Sequence, residues 1–395
     1  MAGVQAALAD TEGAFGASQA ALTSALAHYR AIASAGGWPA VPDGPALREG
    51  SLGPAVAGLR KRLAVTGDLV DRTGDSQAFD DDLAAAVMRF QARHGLAADG
   101  VVGWRTRGAL NVPADVRVRQ IAASIGRLRS LPDGDGGRFI LINVAGFDLA
   151  VFDEGRPLFR SPVIVGRLSR RTPIFSTAVT RIITHPYWRI PRGIAVEDIL
   201  PKLRRDPSYL SAQSIRVYGN VHGQPTEVPA GSVNWRSLNR NNFPYLLVQD
   251  PGPLNALGRI KFFMPNERNV YMHDTPAREL FNHTTRAFSS GCIRIQKALD
   301  LAELLLRQDD GGKLETLEAA LEQGETIEIP LTKAVPVHIV YLTAWTDEEG
   351  QVQFRDDIYK LDGLMGDAPA DVAGLRHDVG ATACSAPANL GDIHY

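Results

Sequence analysis

The two residues in this sequence that best fit a chemical reaction are a cysteine, Cys292, and a histidine upstream of it, His273. The chain has only two cysteines in 395 residues, and this one follows a Ser-Ser-Gly turn sequence. A thiolate attacks a carbonyl carbon, and an adjacent imidazole that takes or shares the thiol proton is its usual activator. A buried structural cysteine with an unrelated histidine fits the same spacing, and spacing alone favours that second interpretation.

The elements around the pair must bring it together, because the two residues are too far apart in sequence to lie on one element. We predict a strand ending in "VYMHD" for His273, and an "SSGC" turn that enters a helix, "QKALDLAELLL", for Cys292. Such a helix would place Cys292 near a helix N-terminus, where the dipole favours the thiolate. Backbone N–H groups from Ser290 to Cys292 could then form an oxyanion hole.

A metal site is a weaker interpretation of the same residues. The sequence has no CxxC and no HExxH, and His273, His283 and Cys292 lack the regular spacing of metal ligands. We therefore expect no metal and no cofactor.

Composition narrows the class of protein. The net charge is −2 and the pI about 6.5, which gives no support to nucleic-acid binding. With 45% hydrophobic residues, the chain can bury the cores of two or three domains. Its most apolar stretch, "FILINVAGFDLAVF", is too short and too interrupted to span a bilayer. The first residues, "MAGVQAALADTEGAFG", lack the basic and apolar regions of an export signal.

The first third of the chain has helical periodicity. An Ala-rich helix is predicted over Ser18–Ser34, and three short helices with two apolar stripes are predicted over Leu47–Asn111. A further helix begins at Pro113 and stops at Pro132. The stripes consist of Val56, Leu59 and Leu63 in one helix and Leu83, Val87 and Phe90 in the next.

From Arg138 onward the pattern changes to short, β-branched, alternating segments, with "FDEGRP" and "DEEG" as hairpin turns. Many short strands with few helices indicate a sandwich or barrel-like core. The polar segment Glu197–Gly258 has little strand pattern, and loops this long usually act as lids. The tail from Asp362 is rich in Ala, Gly and Asp and is predicted to be loosely ordered.

The stretch "HDTPARELFNHTTRAFSSGCIRI" resembles the active-site segment of L,D-transpeptidases with a YkuD catalytic domain. The family pattern is a histidine, a gap, then Ser/Thr-(His)-Gly-Cys followed by a hydrophobic residue and Arg or Asn. The long spacer is similar to the YcbB subgroup, as are "TPIFSTAVTRIITHPYWRIP", "NFPYLLVQDPGPLNALGRIKF" and "YLTAWTDEEGQVQFRDDIY". Leu47–Asn111 resembles a peptidoglycan-binding module of the PG_binding_1 type. These motifs span Tyr29–Lys360 in the expected order, and they make Cys292 the predicted nucleophile.

The resemblance implies a multidomain α+β protein. Its mainly β catalytic domain, sandwich- or barrel-like, would carry an α/loop capping lid beside a small three-helix peptidoglycan-binding domain and flanking scaffold helices. The expected segments are 1–46 (N-terminal helical scaffold), 47–112 (peptidoglycan-binding-like), 113–132 (linker helix), 133–335 (catalytic, with the lid at about 197–258), 336–361 (C-terminal strands) and 362–395 (tail).

The resemblance also implies catalytic roles. Cys292 would be the nucleophile, and His273 would be the general base and then the acid. The other ring nitrogen of His273 would donate to a backbone carbonyl, expected at Asp274, so that no acidic triad member is needed. Gly291 would allow close approach of the substrate, and the Cys292 amide would serve the oxyanion hole.

Substrate-binding roles are implied for residues around this pair. Tyr271 would line the site. Arg294 would hold the Ser290 turn or the donor carboxylate, with a structural salt bridge as an equal alternative. Ser290 stands where many family members carry a histidine that is not the base.

Four more candidates lie further away in sequence. Trp235 and Tyr245 would be aromatic contacts of the lid or part of its core. His185 and Arg189 stand in "HPYWR" where the resemblance predicts "NPYW" followed by Asn. If they line the cleft, they could change which acyl donor is accepted.

The implied reaction is peptidoglycan crosslinking without a cofactor. A tetrapeptide stem loses its terminal D-Ala to Cys292, and a diaminopimelate amine of a neighbouring stem then forms a 3→3 crosslink. A 1→3 crosslink, lipoprotein attachment, D-amino-acid exchange and carboxypeptidase action use the same acyl-enzyme. A hydrolysing cysteine peptidase and a non-catalytic wall-binding scaffold are the competing classes.

The resemblance also implies partners and a location. Stem peptides and carbapenem inhibitors are the expected ligands, nucleic acid is not, and the protein is expected to be a monomer. Crosslinking contributes to cell-wall biogenesis and cell shape outside the inner membrane. We therefore expect a periplasmic protein whose export signal lies outside this sequence.

Overall fold

The structure is a computed structural model, and it describes residues 16–70, 76–131, 137–307, 309 and 311–364. The predicted tail lies outside the described residues except for 362–364, and so does Cys384. The chain divides into two compact units. Among the described residues, the first unit comprises 16–70, 76–131, 137, 143–146 and 340–364, and the second comprises 138–142 and 147–339 without 308 and 310.

The helices of four or more residues in the described part of the chain are α1 (Gly16–Ser34), α2 (Pro54–Val65), α3 (Asp81–Arg93), α4 (Trp104–Leu110), α5 (Ala114–Arg129), α6 (Leu200–Leu203), α7 (Tyr209–Ala212), α8 (Ala298–Leu306) and α9 (Lys313–Gln323). An α-helical turn at Arg192–Ile194 and a π-helical turn at Ala195–Ile199 lead into α6, and 3₁₀ turns occur at Ala230–Ser232, Arg278–Asn282 and Asp362–Leu364. None of the described helices has the length and apolar character needed to cross a membrane.

The strands in the same residues are β1 (Phe139–Asn143), β2 (Asp148–Asp153), β3 (Arg156–Gly166), β4 (Phe175–Thr184), β5 (Trp188–Ile190), β6 (Ile215–Val221), β7 (Gln224–Glu227), β8 (Leu246–Gln249), β9 (Ile260–Phe263), β10 (Met272–His273), β11 (Ala287–Ser289), β12 (Ile293–Ile295), β13 (Glu328–Val340), β14 (Ala344–Thr346) and β15 (Val352–Phe354).

Helices α2 to α4 form the small helical bundle predicted from the sequence. Pro54 occupies the first turn of α2, where its missing N–H costs no hydrogen bond. The Asp80 side chain caps α3 by accepting a hydrogen bond from the Leu83 N–H at 3.0 Å. The predicted stripes are fully buried in one core, which confirms them: Val56, Leu59, Leu63, Leu83, Val87 and Phe90.

Both predicted hairpins are present. β2 and β3 pair antiparallel, and Glu154 and Gly155 have positive φ angles of 49° and 74° in the turn between them. β14 and β15 pair in the same way across "DEEG", with Gly350 at a φ of 79°. Turn residues that tolerate a positive φ therefore mark these two connections correctly.

Nine of the described strands form one sheet in the order β11-β3-β12-β10-β9-β4-β13-β1-β2. An additional pairing of β2 with β3 closes the sheet on itself, so the second unit has a barrel-like core. This confirms the predicted mainly β, barrel-like domain. β13 is a single strand of 13 residues, and its register with β4 shifts between Pro330 and Val335.

The lid segment, residues 197–258, differs from its predicted α/loop character because it contributes three strands to a second sheet. That sheet is antiparallel, with the order β5-β8-β6-β7. Its strands have only three to seven residues, and Gly219 and Pro225 lie within two of them. Strands this short show too few alternations to be recognised from sequence.

Candidate active site

The two candidate catalytic residues lie at neighbouring strands of the main sheet. β10 is parallel to β12, with Met272 opposite Ile293 and His273 opposite Arg294. Cys292 directly precedes Ile293, whose N–H donates to the Tyr271 carbonyl at 3.1 Å. The Met272 and Ile293 side chains are fully buried in the core, so His273 and Arg294 lie on the opposite face of the sheet.

Cys292 and His273 share two charged neighbours. The charges of Lys261 and Arg294 act on the pKa of His273, and each also interacts with the Cys292 thiolate. Lys261 lies on β9 directly opposite His273, so these side chains form one group across three strands. The fold thus joins residues that lie far apart in the sequence.

His273 is held as a neutral base. Its Nδ1 lies 2.5 Å from the Asp274 carbonyl oxygen. Because a carbonyl only accepts, Nδ1 carries the proton and Nε2 keeps its lone pair. Burial lowers the pKa of His273 to about 3, and the charges of Arg294 and Lys261 act in the same direction, while hydrogen bonds with the backbone of Asp274 and Leu257 oppose them.

Hydrogen bonds hold both the backbone and the side chain of Asp274. Its backbone N–H donates to the Ile260 carbonyl at 2.8 Å. Its carboxylate accepts from the Arg259 N–H and from Arg278 Nη1, each at 3.0 Å. The Asp274 carbonyl therefore has a defined direction, and so does the imidazole ring that bonds to it.

The turn before Cys292 is closed by its own hydrogen bonds. The Ser289 hydroxyl donates to the Cys292 carbonyl at 2.5 Å and accepts from the Gly291 N–H at 3.1 Å. Thr172 Oγ1 donates to the Gly291 carbonyl at 2.8 Å. Gly291 has a φ of 120°, a conformation that residues with a side chain rarely adopt, so glycine is needed here.

The predicted helix "QKALDLAELLL" is present as α8 (Ala298–Leu306), but a strand separates it from Cys292, so the predicted position of Cys292 near a helix N-terminus is wrong. Residues Ile293–Ile295 form β12, which pairs with both β10 and β3, and α8 begins only at Ala298. The β-branched "IRI" segment fits between two strands, so the chain extends before it turns into a helix. The dipole of α8 therefore does not act on the Cys292 thiol.

Ser290 connects the nucleophile turn with the beginning of the lid segment. Its hydroxyl accepts a hydrogen bond from Arg170 Nη1 at 2.9 Å. The same guanidinium forms ion pairs of 2.5 Å with both Asp198 and Glu197. Asp198 also lies 3.3 Å from Arg167 Nη2. These ion pairs hold the π-helical turn Ala195–Ile199 against the loop that carries Arg170.

Tyr271 and Arg294 lie with the catalytic pair. The rings of Tyr271 and His273 have centroids 5.8 Å apart. Arg294 is opposite His273 in the register of the two strands. Burial lowers the pKa of Arg294 below its usual value, although the Cys292 thiolate acts in the opposite direction. The Nε of Arg294 is buried without a hydrogen-bond partner among the described residues. A salt bridge of Arg294 is not found among the described residues.

The remaining candidates occupy different places. Trp235 is buried in the core of the lid segment, where its Nε1 donates to the Ala230 carbonyl, and Tyr245 packs against that core. The Nε2 of His185 lies 3.4 Å from the Leu321 carbonyl oxygen in α9. Arg189 is exposed on β5, and its charge contributes to the lowered pKa of Lys261, which places it near the site.

Lys261 is a site residue that the sequence analysis missed. It lies between buried Ile260 and Phe262 in "RIKFFM", so alternation predicts that it faces away from the core, as many surface lysines do. Only the register of β9 with β10 shows that it faces His273. No group of three or more His, Cys, Asp or Glu side chains in the described part of the chain is arranged to hold a metal ion.

Comparison with known proteins shows the family of this chain. Residues 137–337, a little over half of the chain, match the family model of the L,D-transpeptidase catalytic domain (YkuD). The chain belongs to this L,D-transpeptidase family. Residues 53–110 match a second model, described as "Putative peptidoglycan binding domain" (PG_binding_1). Membership of the YcbB subgroup stays a prediction.

Individual relatives of this L,D-transpeptidase family member share only part of its sequence or length. A curated Haemophilus influenzae protein named "Putative L,D-transpeptidase" is 37% identical over 245 residues, covering 62% of this chain and 48% of the relative. The chain thus spans about half the length of that relative. L,D-transpeptidase structures from Xylanimonas cellulosilytica (14% identity, TM-score 0.23, 76% of this chain and 99% of that one) and Stackebrandtia nassauensis (13%, 0.29, 76% and 96%) are also similar. The family model, rather than these structures, carries the assignment.

Proposed function

We propose that this protein is a peptidoglycan L,D-transpeptidase in which Cys292 forms an acyl-enzyme with a stem peptide. The observation that supports the proposal is the parallel pairing of β10, which carries an oriented His273, with β12, which directly follows Cys292, within an L,D-transpeptidase domain. The peptidoglycan-binding match at residues 53–110 supports peptidoglycan as the substrate.

In the first half-reaction, Cys292 Sγ attacks the carbonyl carbon of the third residue of a tetrapeptide stem. The thiol proton passes to Nε2 of His273, which is unprotonated because Nδ1 holds the ring's proton against Asp274. A C–S bond forms and the amide C–N bond breaks. His273 then gives the proton to the departing amine of D-Ala, and a thioester remains on Cys292.

In the second half-reaction, the side-chain amine of a diaminopimelate on a neighbouring stem attacks the thioester. His273 accepts a proton from that amine, the C–S bond breaks, and the proton returns to sulfur. The product is a 3→3 crosslink. A 1→3 crosslink differs only in the donor residue, and Arg189, whose charge acts on Lys261, is a departure from the expected pattern that could select that donor.

A carbapenem would acylate the same sulfur, because its strained lactam presents a carbonyl carbon to Cys292 and its ring nitrogen is the leaving group. We further propose that the protein acts as a monomer on peptidoglycan outside the inner membrane, in the periplasm. There it would contribute to cell-wall biogenesis and cell shape.

The product of the reaction tests this function. Purified protein incubated with disaccharide-tetrapeptide should release D-Ala and form a dimer, and fragmentation of the dimer by mass spectrometry should show the 3→3 linkage. A dimer linked through the first residue would replace the 3→3 assignment with 1→3. Release of D-Ala without a dimer would mean that water resolves the acyl-enzyme, as in a carboxypeptidase. Release of no D-Ala would leave a non-catalytic wall-binding role.

The orientation of His273 makes a second prediction. Gly258 has a φ of 63°, and a Cβ there would overlap the carboxylate of Asp274. Gly258→Ala should therefore displace Asp274 and lower the rate of dimer formation by about 10-fold or more, since small misplacements of catalytic groups are costly. Gly155→Ala is the matched control, because Gly155 has a φ of 74° and its Cβ would meet nothing within 4 Å. Equal rates for the two variants would contradict this role of Asp274.

A further inference from the structure

We propose that Lys261 is the cation that stabilises the thiolate form of Cys292. Lys261 lies on β9 and Cys292 directly precedes β12, and Tyr271, which precedes β10, lies between them. The proposal rests on Cys292 being the nucleophile of the function proposed above. Lys261 does not touch the substrate in this scheme, because it acts through the charge on the sulfur atom.

The direction of the Lys261 side chain is the first argument. Its Cα is paired with His273, which lies one strand away on β10. Its Nζ, however, lies 4.3 Å from the centroid of the ring of Tyr271, which directly precedes β10. Tyr271 lies level with the Cys292 end of β12, because its carbonyl accepts from the N–H of Ile293. The ammonium therefore leans from His273 towards the nucleophile.

The second argument is that the two usual sources of positive charge are missing at Cys292. Cysteine thiolates are commonly stabilised by a helix N-terminus or by a protonated histidine. Here β12 follows Cys292 and α8 begins only at Ala298. His273 is neutral at pH 7, because burial among cations holds its pKa at about 3.

The third argument concerns the charges around Lys261. The Cys292 thiolate is the strongest of the charges that raise its pKa, ahead of Glu328. The Glu328 carboxylate lies 2.9 Å from Arg181 Nε and so already has a cationic partner. Among the described residues, the titratable and charged groups around Lys261 and Cys292 include Tyr271 just before β10, His273 from β10, Arg294 from β12, Arg181 from β4, Arg189 from β5, Glu328 from β13 and Glu279 near Arg294.

Arg294 is the other cation near the sulfur, but replacing it is a poorer test of how a positive charge affects the pKa of Cys292. It is the strongest charge acting on His273, so removing it changes the nucleophile and the base together. Lys261 acts on His273 more weakly than Arg294 does. Neutralising Lys261 therefore changes mainly the charge seen by Cys292.

The test measures the pKa of Cys292 by alkylation with iodoacetamide. The thiolate displaces iodide, so that a C–S bond forms, the C–I bond breaks and iodide leaves. The rate follows the fraction of thiolate, and the midpoint of the rate-against-pH curve reports the pKa. Alkylation is read by mass spectrometry on the peptide that contains Cys292, because Cys384 can react as well.

We expect a wild-type midpoint below the ordinary cysteine value of about 8.5. Lys261→Met should raise the midpoint by about 1 pH unit or more, the shift expected for losing a nearby opposite charge. Lys261→Arg, which keeps the charge, should stay within about 0.5 unit of wild type. The control Lys333→Met removes the charge of an exposed residue on β13 and should leave the midpoint unchanged.

Three results would overturn the proposal. They are a wild-type midpoint at or above about 8.5, a folded Lys261→Met protein with the wild-type midpoint, or an equal rise in Lys261→Met and Lys261→Arg. Circular dichroism checks folding, and Lys261→Gln replaces the methionine variant if that one does not fold. Alkylation needs no peptide substrate, so the expected shifts without dimer formation would count against the proposed function alone. Dimer formation without the shifts would count against Lys261 alone.

Discussion

Replacing Cys292 by alanine is expected to abolish the covalent adduct with a carbapenem and to lower dimer formation by at least about 10³-fold, as removal of a nucleophile does. No other hydroxyl or thiol in the nucleophile turn can take its place. The Ser289 hydroxyl is bonded to the Cys292 carbonyl, and the Ser290 hydroxyl accepts from Arg170. Intact-protein mass spectrometry after incubation with ertapenem or imipenem measures the first effect, because wild type should gain the mass of one inhibitor.

The chain's other cysteine supplies the matched control. Cys384→Ala makes the same chemical change and should keep both the full adduct and the wild-type rate of dimer formation. Cys292→Ser tests the chemistry further, since a hydroxyl with its far higher pKa should react much more slowly than a thiol beside a neutral imidazole. A full adduct on the Cys292→Ala protein would remove Cys292 from the reaction and the acyl-enzyme with it.

The part of the fold that local sequence determines was predictable. The stripes of α2 and α3 repeat over several turns, and both hairpins carry residues that tolerate a positive φ. The barrel-like character of the main sheet followed from many short strands with few helices. Its order did not follow, because a sequence does not state that β10 lies between β12 and β9.

The proposed catalytic pair could be recognised in the sequence only through its motif. Its spacing alone favoured a structural cysteine, and the resemblance to a family reversed that interpretation. The structure adds the physical reason, since one parallel pairing, Met272 with Ile293, brings the two segments together. Long-range pairing of this kind leaves no periodic signal within either segment.

Two features of the site lay beyond sequence reasoning. The strand β12 separates Cys292 from the predicted helix, because "IRI" pairs with two neighbouring strands before the helical pattern begins. Lys261 looked like a surface residue, and its position opposite His273 and beside the Tyr271 ring depends on register. Both features bear on the electrostatics of the proposed nucleophile, since one moves a helix N-terminus away from it and the other is the charge that we propose acts on it.

Replacing His273 by glutamine is expected to lower the rate of Cys292 acylation by a carbapenem by about 10²- to 10⁴-fold, the usual contribution of a general base. Glutamine can still bond to the Asp274 carbonyl, but it cannot take up a proton at neutral pH. His283→Gln is the matched control, because this exposed histidine lies in the same stretch and contacts Phe288. Equal losses in the two variants would contradict the assignment of the base.

The pH dependence of the wild-type rate follows from the pKa of His273. At its ordinary pKa of 6.5 a histidine base would lose activity below neutral pH, but burial holds this one at about 3. Carbapenem acylation needs no acceptor amine, so protonation of His273 should lower its rate only as the pH approaches 3. Stopped-flow acylation rates measure this profile, and the Cys292 midpoint known from alkylation accounts for the loss of thiolate at higher pH. An acid limb centred near 6.5 and distinct from that midpoint would show that His273 titrates normally.

The same shift links folding to pH, with a definite sign. Below pH 6.5 the unfolded chain binds a proton at His273, whereas the folded protein binds it only near pH 3. The stability that comes from this lowered pKa is therefore complete above about pH 6.5 and is lost as the pH falls towards 3. His273→Gln removes that proton uptake, while the other histidines remain in both proteins. Thermal unfolding should consequently show the wild type losing stability relative to the variant between pH 7 and pH 4, and parallel curves would mean that the base is not held neutral by the fold.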